Sequence, residues 1–421
     1  MSLLDQALRR TIRQGELTIV EPGGTRRTYG AADPSREPVV VRLTDSRIAG
    51  QLARNPRLGL GEAYMDGRIV FEQGDILALV DLVTGNLRWE DGHVGGTFVR
   101  DRWNRMRGWL AARNHEARAR ANVAHHYDLG NELYRLFLDE DLQYSCAYYA
   151  REDDSLEQAQ HDKKAHIAAK MYLKPGMKVL DIGCGWGGLA LYLNQAAGVE
   201  VTGVTLSEQQ LPLARERAQQ AGVADRVRFE LADYRRLTGT YDRVVSVGMF
   251  EHVGARQYRT FFARCRDLLA ADGVMLLHTV GRFDEPSAGD PFADRYIFPG
   301  YHLPNLSQTV RAIEQSRLIV SDVETLRLHY ALTLREWLRR TRTEKAALIQ
   351  LYDERFVRMW EYYLAGAISM FENGAGCNFQ VQIVRDRRAL PIARDWMFEA
   401  ERRYRDGNAP LSPAPHRAAA Q

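Results

Sequence analysis

The sequence has few cysteines and no spacing that indicates a metal site. Its four cysteines are scattered through 421 residues, with no CxxC pair among them. A chain of this length can bury a large hydrophobic core, so we expect neither disulfide bonds nor a structural zinc. Glu251 stands beside His252, yet neither HExxH nor His-x-His spacing occurs, and we predict no metal ligands.

Long apolar runs are also missing. No stretch of about 18 apolar residues is present that could form a membrane-spanning helix. The N-terminal segment MSLLDQALRRTIRQ has neither a continuous apolar segment nor a small-residue cleavage site, so we expect no secretory signal and a cytoplasmic location. With 45% hydrophobic and 26% charged residues, the composition is typical of a folded protein of two or three domains.

The net charge of +3 is small and unevenly distributed, and we expect no nucleic-acid partner. Residues 1–125 contain 19 arginines, no lysine and 15 acidic residues. The arginines are densest from 100 to 120, where Trp103, Met106 and Trp109 recur at helical spacing. Such a helix could lie on an anionic membrane surface, or it could pack its tryptophans on a neighbouring domain, and the pattern favours neither.

The first 99 residues mix strand and helix signals and predict a small α+β domain. Gly23 and Gly24 mark a hairpin turn. Helices are predicted at 47–58 and 75–87, and the segment LGLGEAYMDG between them contains Gly59, Gly61 and Gly67. The basic residues 100–121 are interpreted as a linker to the next domain.

Residues 122–406 are predicted to form a second, larger domain. Beyond Gly176, strand and helix patterns alternate, which is typical of α/β proteins with a doubly wound sheet and helices on both faces. Ligands of such sheets bind at the carboxyl ends of the strands. Residues 407–421 are predicted to be a disordered tail.

A glycine-rich loop, GCGWGG at 183–188, follows the strand pattern MKVLDIG and precedes a helix pattern. The loop lets a ligand approach the backbone at a helix N-terminus, but the motif alone fits either a dinucleotide or S-adenosylmethionine. A dinucleotide site needs an acidic residue about 20 positions on, where this sequence has Thr205. Asp181 before the loop, with Asp233 and Tyr234 after the third strand, favours S-adenosylmethionine and a class I methyltransferase (Rossmann-like) fold.

Several further motifs occur in order between residues 122 and 388: QYSCAYY, GVTLSEQQ, MFEHVG, LLHTVG, YIFPGYHLP and HYALTLREW. Together with VLDIGCGWGG they resemble the cyclopropane-fatty-acyl-phospholipid synthases and the related mycolic acid methyltransferases. The N-terminal domain resembles the front domain of the phospholipid enzymes. The resemblance is specific because several of these motifs have no general methyltransferase meaning.

This resemblance implies a reaction. A methylene group would pass from S-adenosylmethionine to the cis double bond of an unsaturated phospholipid acyl chain, giving a cyclopropane ring and S-adenosylhomocysteine. Ring closure requires a base in a dry pocket, and in the resembled family that base is a bound bicarbonate ion. Two alternatives remain open: a related lipid C-methyltransferase with a branched methyl, methylidene or hydroxylated product, and a lipid-binding protein on a degenerate methyltransferase fold.

The resemblance also implies site residues. The bicarbonate cage would consist of Cys146, Glu251, His278, the backbone of Val280, and Tyr330. The cofactor residues would be Tyr144, Ser145, Asp181, Gly183, Gly185, Gly187, Thr205, Gln210, Asp233 and Tyr234. A lone buried histidine or cysteine is more often a core residue, but Glu251 and His278 follow or end successive predicted strands, which favours a site.

A mid-chain double bond is out of reach of a protein in bulk water. We therefore expect peripheral association with the inner face of the membrane through the 1–99 domain and the 100–120 segment. The resemblance further suggests a homodimer.

Overall fold

The computed structural model describes residues 3–92, 130–285 and 289–407. The predicted linker and nearly all of the predicted tail lie outside these described residues. Contacts divide the chain into two units. Among the described residues, the first unit contains 3–92, 289–299 and 330–376, and the second contains 130–285, 300–329 and 377–407.

The helices and strands are numbered in chain order. The helices are α1 Leu3–Thr11, α2 Arg47–Arg54, α3 Pro56–Met65, α4 Ile76–Gly85, α5 Gly130–Phe137, α6 Leu156–Lys170, α7 Gly188–Ala197, α8 Gln210–Gln220, α9 Tyr258–Leu268, α10 Pro291–Tyr296, α11 Leu306–Gln315, α12 His329–Thr343, α13 Lys345–Leu351, α14 Glu354–Glu372 and α15 Asp395–Arg405. The strands are β1 Gly15–Val20, β2 Arg26–Ala31, β3 Val39–Leu43, β4 Ile69–Gln73, β5 Lys178–Ile182, β6 Glu200–Thr205, β7 Val227–Leu231, β8 Tyr241–Val247, β9 Leu269–Arg282, β10 Ile319–Leu326 and β11 Gly376–Val384.

The first unit contains a four-stranded sheet with the order β2-β1-β3-β4. β1 and β2 pair antiparallel across the turn at Gly23 and Gly24, so the predicted hairpin is confirmed. β3 runs parallel to β1, and β4 runs antiparallel to β3. Alternate residues of β1 are buried, which is the pattern of a strand with one face on a core.

The glycine-containing segment after α2 lies between the two predicted helices, yet it is itself helical. Only Asn55 separates α2 from α3, and its side chain caps α3. The glycines of this segment include a site of close packing, because a Cβ at Gly61 would lie 2.4 Å from the ring of Phe292 and 2.5 Å from that of Tyr362. Gly61 therefore permits close contact within the unit rather than a turn of the backbone.

The contact grouping cuts across the predicted domain bounds. The sequence analysis placed all of 122–406 in one domain, whereas α10 and residues 330–376 belong to the first unit. α14 packs against α3 and α4. Tyr64 donates a hydrogen bond to Glu361 Oε2 at 2.7 Å, across 297 positions of sequence. Local patterns carry no signal for such distant contacts.

The second unit is built on a seven-stranded sheet with the order β10-β11-β9-β8-β5-β6-β7. β5 pairs in parallel with β6 on one side and with β8 on the other, so the strand order reverses at β5. One apolar core joins the sheet to α9 and α11, and another joins it to α6, α7 and α8. The predicted α/β sheet with helices on both faces is confirmed, and its reversal point is where ligands of such folds bind.

Among the described residues, no helix is long and apolar enough to span a membrane.

Candidate active site

The glycine loop connects β5 to α7 at the reversal point of the sheet. Three of its glycines have positive φ angles, which residues with a side chain rarely adopt: +87° at Gly183, +55° at Gly185 and +83° at Gly187. A Cβ at Gly185 would meet nothing within 4 Å, so the space beside this residue is open to a ligand. A Cβ at Gly187 would lie 2.5 Å from the ring of Phe229, so Gly187 serves packing between the loop and β7. The two glycines therefore have different roles.

An open cleft lies at the carboxyl ends of β5, β6, β7 and β8. Nine of the ten predicted cofactor residues line this cleft, and Gly187 does not. The nine are Tyr144, Ser145, Asp181, Gly183, Gly185, Thr205, Gln210, Asp233 and Tyr234.

Asp181 ends β5 inside the cleft wall. Its side chain is 2% exposed, and Oδ2 has no hydrogen-bond partner among the described residues. Burial raises the pKa of this carboxyl to about 7, although the charge of Lys163 acts in the opposite direction. A buried carboxylate oxygen without a donor is costly, and a cationic or N–H group of a ligand would relieve that cost. Asp181 therefore fits S-adenosylmethionine, which carries an amino group.

Three more residues that line the cleft are Asp233, Tyr234 and His252, and the first two contact other side chains of the second unit. Asp233 is paired with the guanidinium of Arg235, whose Nε and Nη2 lie 2.8 and 2.5 Å from its carboxylate oxygens. The ring of Tyr234 packs edge-on against Phe261. His252 also lines the cleft and was missed by the sequence analysis. Burial lowers the pKa of His252 to about 4, so its imidazole is neutral at physiological pH.

A buried lysine supports the segment that covers the cleft, and the sequence analysis missed it. Lys163 in α6 is fully buried, and its Nζ donates to Gln143 Oε1 at 2.7 Å and to Ser145 Oγ at 2.9 Å. Both acceptors belong to residues that line the cleft. Burial lowers the pKa of Lys163 to about 7. The polar residues of α6 are mostly buried, and a pattern of hydrophobic residues in the sequence does not reveal this burial.

Glu251 lies in a short 3₁₀ turn after β8, next to the adjoining strand β9. Its Oε1 accepts a hydrogen bond from the backbone N–H of Val280 at 2.5 Å. Its Oε2 is buried and has no partner among the described residues. Burial raises the pKa of Glu251 to about 7, and hydrogen bonds from its own backbone N–H, from the Val280 N–H and from the Thr279 hydroxyl oppose this shift only in part. The structure thus brings two of the predicted cage members, the Glu251 carboxyl and the Val280 backbone, into direct contact with each other.

His278 lies two residues before Val280 on β9, opposite Val247 in the parallel register with β8. Burial lowers the pKa of His278 well below its usual value, and the nearby Lys163 and Lys170 add to this effect. The imidazole is therefore neutral. Its ring nitrogens contact two amide side chains of β11, which the sequence analysis also missed.

Cys146 and Tyr330 are the two remaining residues of the predicted cage. Cys146 is buried in the second unit, its Sγ lies 3.3 Å from the carbonyl oxygen of Ala147, and burial raises its pKa, so it is a thiol. Tyr330 belongs to the first unit, where its ring packs against Trp337 and Phe371. The second unit thus contains four of the five predicted cage residues.

The family model for mycolic acid cyclopropane synthetase matches residues 114–381. The cyclopropane-fatty-acyl-phospholipid synthase of Escherichia coli strain K12 is 36% identical over 348 residues, which are 81% of this chain and 87% of that protein. A probable fatty acid methyltransferase of Pseudomonas putida is 37% identical over 375 residues, or 86% of this chain and 91% of that protein.

Solved structures agree with these matches. The cyclopropane synthase MmaA2 from Mycobacterium tuberculosis has a TM-score of 0.61 and 32% identity, covering 63% of this chain and 98% of that one. The mycolic acid cyclopropane synthase CmaA1, complexed with SAH and CTAB, has a TM-score of 0.60 and 34% identity, with coverage of 63% and 98%.

The sheet order, the glycine loop and the cleft at the reversal point together define a class I methyltransferase that depends on S-adenosylmethionine. The family match narrows this class. The chain belongs to the mycolic acid cyclopropane synthetase family, and the resemblance found in the sequence is confirmed.

Proposed function

We propose that the protein transfers a methylene group from S-adenosylmethionine to the cis double bond of an unsaturated phospholipid acyl chain. The observation that carries this proposal is the match to the Escherichia coli cyclopropane-fatty-acyl-phospholipid synthase over 348 residues. That match is longer than the region 114–381 covered by the family model. By comparison, cyclopropane mycolic acid synthase 1 of Mycobacterium tuberculosis matches only 60% of this chain.

The chemistry asks for placement rather than for a protein nucleophile. S-adenosylmethionine supplies, when bound, a methyl group activated by its sulfonium. In the overall reaction the acyl chain gains this carbon and loses one of its protons as the ring closes. The chain's own residues have to hold the cofactor, exclude water from a carbocation and accept a proton. Asp181 and the open backbone at Gly185 support the first task, and the buried group around Glu251 supports the third.

We further propose that a bicarbonate ion beside Glu251 accepts the proton. Two observations support an anion there: Oε2 of Glu251 is buried without a partner among the described residues, and burial raises the pKa of this carboxyl to about 7. A protonated Glu251 can donate a hydrogen bond to an anion. The N–H of Val280 already donates to Oε1 and would be shared with the ion.

Incubation with S-adenosylmethionine and vesicles of an unsaturated phospholipid tests both proposals. Cyclopropane ring protons, together with a gain of one CH₂ in acyl mass, are expected. Bicarbonate-free buffer should slow turnover, and added bicarbonate should restore it. Binding of S-adenosylmethionine without any change in the acyl chain would contradict the enzymatic proposal and favour a lipid-binding role. An unchanged rate without bicarbonate would contradict only the second proposal.

A second candidate is a lipid C-methyltransferase with a different product. It is favoured by the match to the probable fatty acid methyltransferase of Pseudomonas putida, and by the tuberculostearic acid methyltransferase UfaA1 of Mycobacterium tuberculosis, which is 33% identical over 407 residues. The same incubation separates the two candidates. A gain of one CH₂ without ring protons, or a methylidene or hydroxyl group in the product, would identify this alternative.

The membrane and the oligomeric state belong to the same proposal. A phospholipid substrate requires peripheral attachment to the membrane. We assign this attachment to the N-terminal domain and to the 100–120 segment, of which the segment lies outside the described residues. The protein would then act at the inner face of the membrane, as a homodimer. Cosedimentation with vesicles and equilibrium sedimentation of the free protein measure these two properties separately.

A further inference from the structure

The imidazole of His278 lies between two amide side chains of the neighbouring strand. Asn378 Nδ2 lies 3.2 Å from Nε2 of the ring, and Gln380 Nε2 lies 3.1 Å from Nδ1. All three side chains are buried. A neutral imidazole has one N–H donor and one acceptor, so it cannot accept hydrogen bonds from both amides. One of the two amides must therefore turn its oxygen to the ring.

Lys170 decides which amide that is. Its Nζ donates to Gln380 Oε1 at 2.8 Å and is also bonded to Glu324. Because the oxygen of Gln380 is used by this ammonium group, its NH₂ group has to face His278. The reverse orientation would place an N–H donor against the ammonium group with no acceptor between them. Nδ1 of His278 is thus the acceptor, and the ring proton is on Nε2.

Asn378 completes the arrangement. Its Oδ1 is buried and has no hydrogen-bond partner among the described residues. A half-turn of this amide brings Oδ1 to the N–H at Nε2, which pairs the ring donor and the orphaned acceptor at once. One change thus satisfies two buried groups, whereas changing Gln380 would leave two donors opposed.

The surrounding charges keep the ring neutral. Lys163, Lys170 and His166 lie near His278 and oppose a positive charge on it, and Glu324 alone acts in the other direction. Glu324 is itself engaged by two of these groups, since its Oε2 lies 2.7 Å from His166 Nε2 and also contacts Lys170 Nζ. Little negative charge is therefore left to stabilise an imidazolium.

We propose that Lys170, acting through Gln380, holds His278 as the neutral tautomer with its proton on Nε2. Lys170 and Gln380 are then positioning residues, and His278 is an N–H donor rather than a base. The Nε2 proton is bonded to Asn378 Oδ1, and the effect of this tautomer on ring closure rests on the proposed function. The tautomer itself does not.

The test is nitrogen NMR of the whole protein labelled with ¹⁵N-histidine, with the His278 signals assigned by difference against His278→Gln. In the wild-type protein near pH 7, Nε2 should be protonated and Nδ1 unprotonated. The favoured tautomer should exceed the other at least about tenfold, which corresponds to about 1.4 kcal/mol. A proton on Nδ1, or on both nitrogens, would overturn the proposal whatever the enzyme's activity.

Variants extend the test. Gln380→Glu offers an acceptor to Nδ1 and should move the proton there, lowering turnover at least tenfold without raising KM for S-adenosylmethionine. Lys170→Met should leave both tautomers populated, and Lys170→Arg should restore one. Gln382→Glu is a matched control on the same face of β11, because Gln382 contacts the Lys170 carbonyl and not His278. An unchanged His278 spectrum in folded Gln380→Glu would contradict the proposal, and a moved proton with unchanged turnover would contradict only the effect of the tautomer on ring closure.

Discussion

Replacement of Glu251 by glutamine should make the protein more stable at alkaline pH and much less active. The hydrogen bond from the Val280 N–H can be retained by the glutamine Oε1. The amide nitrogen takes the place of Oε2, which has no partner among the described residues. The substitution therefore removes a titrating group while changing the shape of the site very little.

The size of the stability change follows from the pKa of Glu251. Burial raises the pKa of Glu251 from 4.5 to about 7. A carboxyl with a raised pKa binds more protons in the folded than in the unfolded state, so its contribution to stability is lost as pH rises from about 4.5 to 7. A shift of two to three units corresponds to about 3 kcal/mol. Since glutamine does not titrate, the stability of the variant relative to wild type should increase by about 3 kcal/mol between pH 4.5 and pH 8.

Thermal unfolding at both pH values measures this difference, and a relative gain of about 5 °C or more is expected for a unit of this size. Turnover should fall by about 10² to 10⁴, because an amide can donate a hydrogen bond to the bicarbonate ion but cannot take up the proton that the ion accepts, while calorimetric affinity for S-adenosylmethionine is retained. Glu200→Gln is the control, because Glu200 is exposed at the start of β6. A relative stability that does not change with pH would refute the assigned pKa, and retained turnover would refute the catalytic role.

Three further predictions concern the cofactor and the membrane. Gly185→Val should abolish calorimetric binding of S-adenosylmethionine, since a side chain would fill the open space beside a residue with φ of +55°; unchanged affinity would place the cofactor elsewhere. Lys163→Met should weaken that affinity at least tenfold, because the Gln143 and Ser145 acceptors lose their donor, and wild-type affinity in a folded variant would contradict the supporting role. Charge reversal in the 100–120 segment should weaken binding to anionic vesicles, measured by cosedimentation, by a few kcal/mol, or about 1 kcal/mol for each basic residue. The effect should be smaller at high salt. Persistent binding at low salt would place the docking site elsewhere. The residues to be changed to Glu are Arg102, Arg105 and Arg107.

The doubly wound sheet could be predicted because its signals are local. β5, β6 and β8 are short segments rich in valine and other strand-forming residues, and each is followed by a turn or a helix pattern. The glycine loop could be located for the same reason, since Gly183 and Gly185 need backbone angles that few other residues adopt. Seven of the nine predicted cofactor residues that line the cleft lie at or after the carboxyl ends of β5, β6 and β7, because parallel strands end at one edge, whereas Tyr144 and Ser145 follow no strand of this sheet.

Features that depend on distant packing could not be predicted in this way. No helix was predicted for most of α3, where Gly61 makes room for Phe292 and Tyr362, which lie more than 230 positions away. The grouping of 330–376 with the N-terminal residues has the same origin. In each case the contacts join residues that are far apart in the sequence, and a pattern of neighbouring residues cannot predict such contacts.

The buried polar residues of the second unit show why the support of the site escapes sequence patterns. Every residue of β11 is buried, and its strand alternates Phe379, Val381 and Ile383 with the polar Asn378, Gln380 and Gln382. The apolar set belongs to the core beside α9 and α11. An alternating strand ordinarily indicates a solvent-facing side, but here the polar set pairs with Lys170 of α6 and with His278.

Helix α6 has the complementary property. Its polar side chains are mostly buried, so it shows no apolar stripe by which its orientation could be predicted. Neither element can be interpreted alone, because the donors of one satisfy the acceptors of the other. An apolar replacement on either side would leave a buried group unpaired, at a cost of about 1–3 kcal/mol. The geometry of His278 and of the segment at Ser145 thus depends on a paired polar interface, and variants in that interface should alter the site before they unfold the protein.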